Sequence, residues 1–446
     1  MGRILPLGLP LAVGYMAQIS ISFTDAALVA RSSSEALAGV TLAVSLFSLV
    51  MLFGLGLVTA VAPKVAASHQ AGAADELRGW AVQGAWLALL AGALGIVVLL
   101  NTEHILVLIG QNPGVAAIAQ DYNNGAAAGL PFFLLYVNAR CLMTGVGRPK
   151  PATWIMLAAV PLNLVLGYSM IFGVGRFPGL GVFGAGLASS VVRMFASVLV
   201  GVVLLRGRTF RELDLRAGSP APRPPMLLEL GRVGAWIGVR ILLGEGFLPV
   251  LAFFVARHGA HAVAAHAVAL RLESLIVVFA LGFSSAATAA AAWAHEGKDW
   301  RALRDLRTAL LLIGLVYSLV LSSVVALCFH GIVRDVFGIH DRGTQTTLSS
   351  LLPLLIAYIV ADTLVTMPMG YLVGLGDTRM PTAVVAAGNW ILGLGSGAAL
   401  SEFTPLGFYG LWLGAGIGTT CVTAFCFARA GKHIKTLRES VVNQHD

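Results

Sequence analysis

The sequence predicts an all-α membrane protein of twelve transmembrane helices, arranged as two pseudo-symmetric six-helix bundles. Three observations predict it: the chain carries too little charge to face water, its apolar runs are of bilayer length, and its two halves repeat. Of 446 residues, 57% are hydrophobic and 11% charged, with a mean hydropathy of +0.85. A soluble domain carries about a quarter charged residues. Lipid is therefore the solvent for most of the surface, and a spanning backbone must satisfy its own polar groups. The 52 glycines suit close helix contacts within a bilayer.

Apolar runs fall at 5–30, 36–63, 80–101, 117–143, 152–173 and 181–205, and again at 228–256, 262–290, 302–327, 345–373, 380–400 and 405–430. Each can supply the roughly 20 residues that a bilayer requires. The first run continues past any signal-peptide length without a clear cleavage site and reads as a membrane span. The expected organisation is an N-terminal six-helix lobe (1–205), a cytoplasmic linker (206–227) rich in arginine and proline, a C-terminal six-helix lobe (228–430) and a cytoplasmic tail (431–446).

Basic residues orient the spans. The termini and alternate loops hold twenty Lys and Arg, from Arg3 through Arg148, Arg223 and Arg304 to Arg438; the opposite loops hold five, Arg31, Arg176, Arg257, Arg334 and Arg342. Both termini are thus expected in the cytoplasm, with the chain in the cell inner membrane. Topology also accounts for the net charge of +8 and the pI near 9.6, so no nucleic-acid partner is expected. Cys141, Cys328, Cys421 and Cys426 have apolar flanks and form no CxxC pair. They read as reduced core residues.

The halves match at an offset of 226. Val29, Ala30 and Arg31 recur as Val255, Ala256 and Arg257; His69 as His295; Asn163 and Gly167 as Asn389 and Gly393; Gly181 and Gly184 as Gly407 and Gly410. Six spans per half leave both halves in the same orientation, a parallel repeat about an axis along the membrane normal. In another register, Leu130-Pro131 and Tyr136 resemble Leu352-Pro353 and Tyr358, which places Arg140 opposite Asp362.

An ionisable group in the bilayer costs about 2.5–3.5 kcal/mol on insertion scales, so the few present are candidates for function. Glu245 lies mid-span, and Pro249 four residues on removes the N–H that would occupy its carbonyl. Asp362 shares a helix face with Tyr358 one turn earlier. The Glu245 carboxylate and its freed carbonyl oxygen suit a hard cation such as Na⁺ or a carried proton. Asp25 and Asn163 form a second polar pair in the first lobe. Arg240, Arg271 and Glu273 are possible cavity charges, with Glu273 facing the cavity or pairing with Arg193 or Arg240. His258, His261 and His266 lack a ligand partner at metal-binding spacing.

Gly179, Gly181 and Gly184 spell GxGxxG, but a dinucleotide site needs a βαβ unit around it. Gly410, Gly414 and Gly418 form GxxxG spacings that let a helix approach closely, within the bundle or between chains. There is no GxxxxGK[ST] loop and no HExxH, so neither ATP-driven transport nor zinc hydrolysis is supported.

The stretches MAQISISFTDAALVA, PLNLVLGY, GEGFLPVLAFFVA with AVAAHAVAL, and YIVADTLV with GLGDTRMP resemble the multidrug and toxic compound extrusion (MATE) family, NorM-type branch, over nearly the whole length. The resemblance implies a non-enzymatic antiporter that exchanges Na⁺ or H⁺ for organic, mostly cationic and aromatic compounds by alternating access of two lobes. It assigns coupling to Glu245, Asp362 and Tyr358 and protonation in the first lobe to Asp25, with Asn163 beside it. Arg240, Arg271 and Glu273 stand where the resemblance leads one to expect neutral residues. They keep open a dedicated exporter of one metabolite or toxin, while Arg140, Arg193, Arg240 and Arg271 keep open a flippase of lipid-linked precursors. The expected partners are small organic molecules and membrane lipid; no cofactor beyond the coupling ion is expected, and the chain is expected to be monomeric.

Overall fold

The structure is a computed structural model that describes residues 4–29, 34–174, 177–217, 219–336 and 341–443. Arg3, Ala30, Arg31 and Arg176, used above for orientation or repeat, lie outside the described residues. The spans are α1 (Ile4–Val29), α2 (Ser34–Thr59, continued by Val61–Gln70), α3 (Ala74–Leu99), α4 (Pro113–Ala126, bent by 51° into Gly129–Gly145), α5 (Lys150–Phe172) and α6 (Gly181–Arg206). There follow α7 (Pro224–Glu245, resumed as Phe247–Val255), α8 (Ala260–Glu296), α9 (Trp300–Leu327), α10 (Arg342–Gly374), α11 (Arg379–Val385, π-wound over Ala386–Gly393, then Leu394–Phe403) and α12 (Phe408–Val442). Among the described residues, eleven helices are long and apolar enough to cross a membrane, twelve when the bent α4 counts as one span. Their outward faces stay apolar: Leu94, Val97, Leu327 and Phe403 are all more than 60% exposed.

The chain forms two compact units, Val13–Val239, and Met1–Ala12 with Arg240–Asp446. They do not divide at 206–227. Each is completed by the first part of a helix from the other half of the sequence, and small residues make this possible. In the first unit, a Cβ on Gly234 of α7 would meet Leu57 O of α2 at 2.3 Å, and one on Gly56 would meet Gly238 Cα at 2.3 Å. In the second, a Cβ on Gly282 of α8 would meet Ala12 N of α1 at 2.2 Å, and one on Gly8 would meet the Phe283 ring at 2.6 Å. Gly56 and Gly282 are repeat mates, so the same contact is built twice.

The segment after α6 is not a loose linker. It makes two short 3₁₀ turns, Arg208–Leu213 and Leu215–Ala217, and buries Phe210. Gln83 of α3 donates to Ala221 O (3.1 Å) and accepts from Arg223 N (2.8 Å), while Arg78 and Trp86 donate to Leu213 O and Pro220 O. Residues 431–442, expected as a tail, continue α12.

Backbone geometry confirms the repeat and corrects one part of its register. Gly72 and Lys298, and Gly181 and Gly407, all have positive φ and stand 226 apart. Across α4 and α10 the spacing is 229. Asn112 and Asp341 cap the two helices with their side chains, and Gly147 (φ 75°) and Gly376 (φ 76°) follow their ends. The match of Arg140 to Asp362 therefore fails: Arg140 corresponds to Met369, and Asp362 to Phe133. The Leu-Pro dipeptides that prompted it are coincidental, because a helix's own ends fix its register.

Two further expectations are corrected. Cys141 and Cys426 are buried, but Cys328 and Cys421 are exposed, as lipid-facing positions allow. A strand does precede GxGxxG: β1 (Gly173–Val174) pairs antiparallel with β2 (Phe177–Pro178). It is a two-residue hairpin, far from a βαβ unit. The GxxxG glycines of α12 face α11 within the same unit. A Cβ on Gly410 would meet Ser401 N at 2.7 Å, and one on Gly418 would meet Gly388 O at 2.4 Å.

Candidate functional site

In the first unit α1, α5 and α6 bring their polar residues onto Asp25, which is 3% exposed. Asn163 Nδ2 donates to Asp25 Oδ1 at 2.8 Å, the Ser189 hydroxyl donates to Oδ2, and the Tyr122 hydroxyl of α4 stands within hydrogen-bonding reach. A carboxyl group with three neutral donors is satisfied without a counterion. The sequence reading paired Asp25 with Asn163 and missed Ser189 and Tyr122. Ser189 sits four residues before Arg193, one turn along the same face of α6, and that spacing was the available signal.

Beside this cluster is a cavity of about 190 Å³, walled by Gln18, Met51, Phe133, Tyr136, Met156 and Arg193 among others. Arg140 does not share its space freely. Its guanidinium lies 4.3 Å from the centre of the Tyr15 ring and donates to the Tyr15 hydroxyl at 3.0 Å. Such a desolvated cation on an aromatic face is held by about 2 kcal/mol.

In the second unit the helix stops at Glu245. Gly246 interrupts α7, and Pro249 stands in the first turn of its continuation. Glu245 is thereby left at a helix end with an accessible side chain. Asp362 and the buried Tyr358 come from α10, which runs unbroken through Pro353 and Pro368. Tyr358 meets the Trp412 ring edge-on at 5.6 Å, which fixes its orientation.

Glu273 of α8 belongs to the same group. Its carboxyl lies within hydrogen-bonding reach of Asp362, and both feel the charge of Glu245. The structure thus sets Asp362 beside Glu273, with Tyr358 one turn away on α10 and Glu245 within electrostatic range, and gives Glu273 acids, not arginines, as electrostatic neighbours. Arg240 acts on Glu245 across a distance but makes no ion pair with it within 4.0 Å, and its Nε is buried without a partner. Arg271 is exposed on α8. Among the described residues, no three His, Cys, Asp or Glu side chains are spaced to hold a metal ion. His258, His261 and His266 separate accordingly: His258 bonds Ser401 at 2.8 Å, His261 lies 2.9 Å from Asp341, and His266 is buried against Leu248 O and Trp412.

Acids placed inside a polytopic bundle are candidates for a transport function. A model of the MatE family matches residues 10–169 and 246–398. The chain is 33% identical over 417 residues to a protein named "Probable multidrug resistance protein NorM" from Bradyrhizobium diazoefficiens, covering 93% of this chain and 90% of the relative. It is 32% identical over 420 residues to a protein of the same name from Rhodopseudomonas palustris, covering 94% and 89%. Its fold is similar to the outward-facing structure of a multidrug resistance MATE family transporter of the MOP superfamily, at a TM-score of 0.88 and 21% identity over 98% of this chain and 96% of that one. A eukaryotic MATE transporter, AtDTX14, matches at a TM-score of 0.84 and 19% identity, covering 99% and 98%. The chain belongs to the MatE family, a multi-pass membrane transporter of the multidrug-efflux type and not an enzyme.

Proposed function

We propose that the protein is a secondary antiporter of a cell inner membrane, with cytoplasmic termini, that exports small organic compounds in exchange for H⁺ or Na⁺. The observation that carries this reading is the contact between the Glu273 and Asp362 carboxyls beside Glu245. One carboxyl can hydrogen-bond another only when it holds a proton, and like charges this close do not all ionise together. The group therefore takes up and releases positive charge as a unit, which supports H⁺ over Na⁺ as the coupling ion.

Coupling requires that cation and substrate each bind the two access states unequally. Substrate and cation would compete for overlapping carboxylates in the second unit, and Asp25 would provide a second protonation site in the first. The surplus of Lys and Arg in one set of loops supports the assigned orientation. A monomer suffices for this mechanism, with membrane lipid as its only constant partner.

The test is ethidium efflux from cells expressing Glu245→Gln or Asp362→Asn at normal level. At least tenfold slower efflux in both is expected; unchanged efflux in both removes the assigned site. Uptake into proteoliposomes under an imposed pH gradient, and separately an Na⁺ gradient, then decides the ion.

A further inference from the structure

Three arginines converge on one tryptophan where α9 begins and α12 ends. Trp300 opens α9 and is half-buried in the apolar cluster that holds Leu303, Leu306 and Leu437. The guanidinium carbons of Arg301, Arg304 and Arg438 lie 5.4, 5.7 and 5.3 Å from the centre of its ring. That is the range over which an aromatic ring attracts a cation. All three arginines are exposed, two from the first turns of α9 and one from the last turns of α12.

The ring gathers these cations without neutralising them, and like charges held around one ring repel. The acids nearby are engaged elsewhere. Asp299 accepts from Ala302 N at 2.9 Å and caps α9, Glu439 lies 3.9 Å from Lys435, and Asp377 takes Arg429 and His433. Arg304 has Asp305 at 3.3 Å, an exposed pair of chain neighbours that holds weakly. Among the described residues, Arg301 and Arg438 make no ion pair within 4.0 Å. Arg307 differs from the trio. Its guanidinium packs on α12 at Gly431, where a Cβ would come within 2.8 Å of Nη1. It closes the helix pair and leaves the other three facing outward.

The level of the trio identifies what it meets. α9 carries no charge from Thr308 to Leu327, a length of about 30 Å at 1.5 Å per residue, which is the thickness of the hydrocarbon core. Arg304 and Arg301 then stand about 6 and 10 Å outside the core, at and just beyond the polar head groups. Long basic side chains at that level reach back to the head groups.

We propose that the trio binds the phosphate of an anionic phospholipid, with Arg301, Arg304 and Arg438 donating to its oxygens and the Trp300 ring bracing their planes. Guanidinium forks match phosphate oxygens two at a time, and Lys and Arg clustered just outside a span draw acidic lipids. The orientation proposed above makes this the cytoplasmic leaflet. A lipid held there ties the start of α9 to the end of α12. The site requires only that the chain spans a membrane and is independent of the coupling ion.

The experiment uses the full-length transporter in detergent, loaded with equal amounts of phosphatidylglycerol and phosphatidylcholine of identical chains, with retained lipid counted by native mass spectrometry. The wild type is expected to retain phosphatidylglycerol about fivefold over phosphatidylcholine, the gain from one basic residue at a membrane surface. The triple variant Arg301→Gln, Arg304→Gln, Arg438→Gln should lower that ratio about threefold or more. A control triple with the same loss of charge in the first unit, Arg206→Gln, Arg208→Gln, Arg211→Gln, should lower it by much less. An unchanged ratio in the first triple overturns the proposal, and so does an equal fall in both, since net charge alone would then set the preference. If the first triple loses its thermal transition, the single variant Arg438→Gln, at an exposed position near a helix end, decides by the same criterion. Glycerol 1-phosphate in millimolar excess separates lipid from soluble phosphate. Phosphatidylglycerol that stays bound sustains the proposal, and its displacement by the chain-free head group overturns it.

Discussion

Gly414 of α12 lies against Gly397 of α11 so closely that a Cβ placed on it would come within 2.3 Å of both the Gly397 Cα and its nitrogen. Gly416, two residues on, has nothing within 4 Å. The two positions make a controlled pair. Gly414→Ala must push backbone from backbone and should destabilise by about 1–3 kcal/mol. Gly416→Ala should be neutral or slightly stabilising, since alanine is the better helix former by about 1 kcal/mol. Thermal unfolding in detergent, followed by tryptophan fluorescence, checks both.

The loop between α10 and α11 is tied to α12 by one carboxylate. Asp377 Oδ2 accepts from Arg429 Nε at 2.6 Å and from His433 Nε2 at 2.9 Å. Burial alone would raise its pKa, but the His433 and Arg429 hydrogen bonds outweigh burial and hold it below the ordinary carboxylate value. A group depressed on folding stabilises fully above its unfolded pKa of about 3.9. That contribution is lost as pH falls through the lower folded value. Asp377→Asn should cost about 1.5–3 kcal/mol near neutrality and should flatten the loss of stability on acidification below pH 4. Melting temperatures of both proteins from pH 3 to 7 provide the measurement.

Arg140 and Tyr15 should be energetically coupled. A double-mutant cycle of Arg140→Met and Tyr15→Leu is expected to give about 1–2 kcal/mol of interaction. Arg140→Lys should not substitute, because an ammonium lacks the planar face that stacks at 4.3 Å. Additive unfolding free energies would refute the coupling.

Glu273→Gln separates charge from shape in the acid group. Glutamine can still hydrogen-bond Asp362 but can no longer give up a proton. Efflux at pH 7 is expected to fall by less than in Asp362→Asn, and its pH optimum should shift, because one of two coupled carboxyls is gone. Rates of ethidium efflux from pH 6 to 8.5 provide the check; an optimum that stays put would place Glu273 outside the coupled group.

The spans were legible because bilayer length and hydrophobicity leave few alternatives, and so was the repeat, because rare residues such as His69 and Asn163 recur at a fixed offset. The acids stood out because charge in hydrocarbon demands a reason. What was not legible depends on three-dimensional proximity. Apart from the spacing of Ser189 to Arg193 on α6, nothing in the order of residues tells that Ser189 and Tyr122 reach Asp25, or that Glu273 turns to Asp362 instead of an arginine. The interior Leu-Pro pairs of α4 and α10 point to the wrong register, whereas the capping residues Asn112 and Asp341 carry the right one, because a cap marks where a helix begins. The exchange of first helical segments between units was hidden because Gly8, Gly56, Gly234 and Gly282 look like any other glycines until their neighbours are known.

The π-wound stretch Ala386–Gly393 of α11 has no counterpart in α5, which is α-helical throughout from Lys150 to Phe172. A π turn carries a surplus residue and is held by looser bonds than an α turn, so it can tighten by passing that residue along the chain. Trp390, whose Nε1 donates to Leu243 O at 2.9 Å, lies inside the stretch and links its winding to the segment of α7 that ends at Glu245. Among the described residues, α11 thus departs from its repeat mate α5 at the place where its winding is bonded to α7.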